Sequence, residues 1–121
     1  MALIYVRNKY SADGLRGLVE RNGGGDREEA SRKALSEIGM ELKAAYFTTA
    51  SGSAVLIVEG DPEKLTVLEV WAMSTGAFQS VETEVLIPLN SISAATKIVS
   101  EVYGEYDAPN QDEIDRMLLD E

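Results

Sequence analysis

The chain has no cysteine and no histidine. Without cysteine there is no disulfide, no zinc–thiolate or iron–sulfur site and no thiol nucleophile. Without histidine the commonest general base and the commonest metal ligand are both missing. Long apolar runs are missing too, since none approaches the ~20 residues of a membrane span. The opening MALIYVRNKY is too short and too charged for a signal peptide, so a cytoplasmic location is expected. Basic charge is scarce: 11 Lys and Arg stand against 21 Asp and Glu, a net charge of −10. From Glu105 to Glu121 seven acids face one base, Arg116, so the last segment alone holds −6. Such acidity argues against nucleic acid and anionic membranes as partners.

What is present is enough for one domain. At 121 residues with 45% hydrophobic content, the chain can bury a core without staples. Residues Ala2–Tyr10 alternate as a strand, with Ile4, Val6 and Tyr10 on one side and Tyr5, Arg7 and Lys9 on the other. Ser11 is an N-cap for a helix whose apolar stripe is Leu15, Leu18 and Val19. The run Asn22-Gly23-Gly24-Gly25 stops that helix. Asp26 caps the next, with Glu29 at the capping-box position. Ala30, Ala34, Leu35 and Ile38 form its buried face, and Gly39 ends it.

A second strand is expected over Glu41–Thr49 and a turn at Ser51-Gly52-Ser53. The unbroken apolar run of Ala54–Glu59 predicts a third strand, buried on both faces and central in the sheet. Asp61-Pro62-Glu63 carries three helix-start signals, a capping Asp, a proline at the first position and acids at the positive dipole end. The helix that follows turns Leu65, Leu68, Trp71 and Ala72 inward. Phe78–Ile87 alternates as a fourth strand, closed by Pro88. The order β-α-(α)-β-β-α-β is that of an α+β ferredoxin-like split βαβ fold (βαββαβ), a four-stranded antiparallel sheet with helices on one face.

Residues 1–89 thus form the predicted ferredoxin-like α/β-barrel domain, and 90–121 a C-terminal helical extension with an acidic tail. In that extension Ile92, Ala95, Val99, Val102 and Tyr106 recur at coiled-coil spacing. Ala108-Pro109-Asn110 breaks the seam, and a last short helix carries Ile114, Met117 and Leu118 on one face.

Several stretches resemble known proteins. The opening strand followed by YSADGLRGLVE, the passage IGMELKAAYFTT and the strand-to-helix junction VLIVEGDPEKL resemble GYD-domain proteins. The half from SGSAVLIVEGDPEKL through VWAM to VETEVLIPL is also similar to a related family of small proteins, the DUF3303 type. The resemblance spans Ala2–Leu89. It departs at the turn that gives the first family its name: this chain has Gly52-Ser53-Ala54 there, without the Tyr and Asp. The GEYD of Gly104–Asp107 lies in the extension and is not that motif. The resemblance implies a dimeric α/β barrel, in which two sheets pack face to face in a homodimer around a cavity. The wider group holds cofactor-independent oxygenases, haem-degrading enzymes, isomerases and ligand-binding regulatory modules, so the fold does not select an activity.

The candidate site residues each carry two readings. Arg7 and Lys9 on strand one, with Ser80, Glu82 and Glu84 on strand four, either line a polar small-molecule cavity or form cross-strand ion pairs. Glu59 is either a buried base or a solvated, ion-paired strand end. Asn8 with Trp71, helped by Tyr5 and Tyr46, either orients an aromatic substrate or simply packs. The resemblance to haem-degrading relatives stops at their histidine, which is absent here. Gly23-Gly24-Gly25-Asp26 is either a phosphate nest or a connector, and no Lys-Ser/Thr completes a P-loop. Asp112, Glu113 and Asp115 lack the spacing of a Ca²⁺ loop, and Ser51 and Ser53 lack a base. No metal and no cofactor is expected. The expected function is a homo-oligomeric small-molecule-binding or assembly protein. The enzymatic alternative is a cofactor-independent oxygenase or isomerase using Glu59, Tyr5 or Tyr46.

Overall fold

The computed structural model describes residues 1–21 and 26–119. The chain divides into two compact units, Met1–Ile87 and Pro88–Glu121. In the first, strands β1 (Ala2–Tyr10), β2 (Glu41–Thr48), β3 (Ser53–Gly60) and β4 (Phe78–Leu86) form one sheet in the order β2-β3-β1-β4. Every neighbouring pair is antiparallel. Helices α1 (Ala12–Glu20) and α2 (Arg27–Glu37) join β1 to β2, and α3 (Leu65–Ser74) joins β3 to β4. This is the ferredoxin-like arrangement, with β3 inside the sheet as its apolar run requires.

The core lies between one sheet face and the helices. Ile4 and Val6 of β1, Leu56 and Val58 of β3 and Leu42 of β2 meet Leu35 of α2 and Leu68 of α3, with Met40 beside them. Alternation within β1 is what sorts its residues: Ile4, Val6 and Asn8 are buried, while Leu3 and Lys9 on the opposite face are exposed. The helix starts follow from their caps. Ser11 accepts from Gly14 N–H, Asp26 from Glu29 N–H and Asp61 from Glu63 N–H. After Asp61 the chain takes one 3-10 turn, Pro62–Lys64, before α3 begins. Gly39, at φ +77°, turns the chain out of α2.

Helix α1 differs from expectation. Its stripe of Leu15, Leu18 and Val19 does not enter the core, and Val19 is 78% exposed. The helix instead approaches the turn before β4 through Gly14, where a β-carbon would overlap the Ala77 carbonyl. Ser11 secures this approach, its N–H donating to Ala77 O and its hydroxyl to Gly76 O. The predicted nest at Gly23–Gly25 lies outside the described residues.

In the second unit, α4 spans Ser91–Val102 and α5 Gln111–Leu119. The coiled-coil seam is shorter than predicted. Gly104, at φ +95°, turns the chain after Val102, so Tyr106 lies beyond the helix and off its face.

Candidate functional site

Asn8 sits where β1 passes beneath the helices. It follows Ile4 and Val6 on the inward side and is 8% exposed. Above it, α2 presents Ala30 and Ala34 and α3 presents Ala72. These side chains are too small to fill the space between helix and sheet, and a hollow of about 220 Å³ remains. Trp71, 42% exposed, and Phe78 wall it on the α3–β4 side. Polar groups are few: Arg27, Ser31 and Thr75 besides Asn8.

The amide of Asn8 is the anomaly. Its Oδ1 is buried and accepts no hydrogen bond among the described residues. Such an orphan costs about 1–3 kcal/mol, a cost that natural cores rarely bear without a ligand or ordered water. Among the described residues no carboxylate lines this hollow.

The other candidates lie on the opposite face of the sheet. The β1–β4 register sets Tyr5 opposite Glu84, Arg7 opposite Glu82 and Lys9 opposite Ser80. None of these lines the Asn8 hollow. The expected cross-strand ion pairs do not form. Four ion pairs occur among the described residues, and none includes Arg7, Lys9, Glu82 or Glu84. Arg7 turns instead to the β2–β3 turn and donates to Ser51 Oγ at 2.7 Å. Ser51 in turn bonds Thr48 Oγ1 at 2.6 Å and lies 3.2 Å from Ser53 Oγ. This hydroxyl chain braces the turn, and no general base faces it.

Glu59, one residue before the end of β3, lies on that same face, with its side chain 38% exposed and 3.5 Å from Lys43 Nζ. Lys43 sits at the irregularity in β2 between Leu42 and Ala44, which lets it reach Glu41 at 3.3 Å as well. The hydrogen bond and charge of Glu41, then the charge of Glu59, hold the Lys43 ammonium above its usual pKa. Glu59 is thus the solvated, ion-paired strand end of the two readings. Tyr46 opposes Val55 on the edge strand and is 65% exposed.

The structure therefore brings Asn8 and Trp71 together and separates both from Arg7, Lys9, Glu82, Glu84, Glu59, Tyr5 and Tyr46. It adds Arg27, Ser31, Thr75 and Phe78, which residue type alone did not single out. The available signal was the spacing of Ala30, Ala34 and Ala72, small residues on inward helix faces. No helix among the described residues is long and apolar enough to cross a membrane. No family model, curated protein or solved structure matches this chain.

Proposed function

We propose that this protein is a non-catalytic small-ligand-binding module that operates as a homodimer in the cytoplasm. The observation that carries the reading is the hollow of about 220 Å³ beneath α2 and α3, whose alkyl and aromatic walls include Trp71 and hold few polar groups, Asn8 among them. A concave, mostly apolar space with a few polar groups is the form that small-molecule sites take. Homodimer formation draws support from the sheet face opposite the helices. There Arg7, Lys9, Glu82 and Glu84 form no ion pair among the described residues, so two such faces turned toward each other offer each cation a carboxylate. The enzymatic alternative, an oxygenase or isomerase, needs an acid–base group facing the substrate. Glu59, Tyr5 and Tyr46 line neither the Asn8 hollow nor the hollow next to it. Native mass spectrometry on gently purified protein tests the reading. A dimer with a reproducible extra mass is expected, and a bare monomer at micromolar concentration overturns it.

A further inference from the structure

Among the described residues, four polar side chains line the 220 Å³ hollow. Three of them are engaged or turned away. Arg27 has an interaction partner already. Thr75 Oγ1 donates to Ala72 O at 2.8 Å and accepts from Ala77 N–H at 3.1 Å. The Oδ1 of Asn8 is sealed in the wall. Ser31 is the exception. It lies one turn into α2 and is half-buried. A serine inside a helix can bond back to the carbonyl four residues before it. This one makes no hydrogen bond among the described residues, so its O–H is left for an occupant of the hollow.

Charge and size narrow the occupant. With no carboxylate among the described lining residues, a cation would give up its hydration for no counter-charge. The net charge of −10 repels anions, and the arginine in the wall already has its partner. A neutral molecule avoids both costs. A cavity of about 150 Å³ accepts benzene, so 220 Å³ takes one ring and a small substituent. The walls suit a ring. Phe78 is held against Tyr10 with ring centroids 5.2 Å apart, and Trp71 is left 42% exposed beside the open space. Resting on the ligand-binding reading above, we infer that the hollow takes an uncharged, single-ring aromatic molecule with one oxygen acceptor, to which Ser31 donates. Its ring lies against Trp71 and Phe78.

Trp71 is the only tryptophan, so its indole N–H resonance reports on the site directly. The probes are benzyl alcohol, toluene without the oxygen, benzoate as the anion and benzylammonium as the cation. Titration with benzyl alcohol should shift the indole resonance saturably. Toluene should bind about threefold to tenfold more weakly, the loss of one neutral hydrogen bond. Each ion should be weaker than benzyl alcohol by about tenfold or more. Ser31→Ala should erase the advantage of benzyl alcohol over toluene while leaving the affinity for toluene unchanged. Alanine is the better helix former, and circular dichroism establishes that the variant is folded. An advantage that survives this change, or equal affinity for the two probes in the unaltered protein, overturns the role of Ser31. Either ion binding as tightly as benzyl alcohol overturns the neutral class. No saturable shift with any probe overturns the inference as a whole. If native mass spectra then still show a bound species, the ligand-binding reading stands with another ligand class; if the protein is bare, both fall.

Discussion

At the scale of single residues, Asn8 is the position where stability and function are expected to conflict. Its neighbours along the inward face of β1, Ile4 and Val6, are fully buried. Leucine shares asparagine's branched shape, its larger methyl groups can extend into the adjoining hollow, and it leaves no orphan atom. Replacing a lone buried acceptor by an apolar group of similar shape is neutral to stabilising. Asn8→Leu should therefore raise the stability of the ligand-free protein by about 1 kcal/mol, or several degrees in Tm, while abolishing the ligand response. Calorimetry of the ligand-free proteins checks it, and a fall in Tm would mean that the amide has a stabilising partner. Lys43 supplies a second residue-scale test. Its pKa is raised in the folded state by Glu41 and Glu59 from a reference of 10.5. A raised folded pKa means that the group contributes stability fully below its unfolded pKa and loses it as pH climbs through the folded one. The urea midpoints of the protein and of Lys43→Met should accordingly differ slightly at pH 8 and converge above pH 10.5. The pair is solvent-exposed, so the difference at pH 8 should be small and shrink with salt.

At the scale of elements, α1 is decided by its glycines rather than its leucines. Gly14 lies against Ala77 and has no room for a β-carbon, whereas a β-carbon on Gly17 would meet nothing within 4 Å. Gly14→Ala should push the helix off the β4 turn and cost about 1–3 kcal/mol. Gly17→Ala should gain up to about 1 kcal/mol from helix propensity. Denaturant unfolding of the two variants gives opposite signs if α1 docks through Gly14, and the same sign if it does not. This element also marks the limit of what local pattern conveys. Alternation was sufficient to sort β1 and to put Arg7 and Lys9 on one face with Glu82 and Glu84, because strand period is a local rule; the register that sets Arg7 opposite Glu82 came from the structure. Asp61-Pro62 announced its helix start for the same reason. The stripe Leu15-Leu18-Val19 has helical spacing, yet which helix face docks depends on Ala77, some sixty residues away. The hollow was illegible for that cause as well: it exists because Ala30, Ala34 and Ala72 meet above Asn8, a coincidence of three elements that no window of sequence contains. Asn8 and Trp71 were legible as residue types, but not Arg27, which lines the same hollow. Tyr106 fell outside α4 because the positive φ at Gly104 ends the run, a glycine the apolar spacing skips over.

At the scale of the whole molecule, the question is what two acidic chains gain by meeting. Each carries a net charge of −10, so long-range repulsion opposes association. A homodimer through the sheet face opposite the helices must overcome it by local complementarity. In the proposed homodimer a two-fold axis would bring the same patch together from both sides, setting Arg7 and Lys9 of one chain near Glu82 and Glu84 of the other. Glu82→Lys with Glu84→Lys separates the two effects. The double change moves the net charge from −10 to −6 and thereby weakens the long-range repulsion. It also places like charges in contact across the interface, which costs several kcal/mol. Sedimentation equilibrium should therefore show the variant at least a hundredfold weaker as a dimer, despite its more favourable net charge. Adding Arg7→Glu and Lys9→Glu restores the opposite-sign arrangement with the polarity reversed, and the dimer should return. If the double variant associates more tightly than the unaltered chain, net charge governs assembly and the sheet face is not the contact.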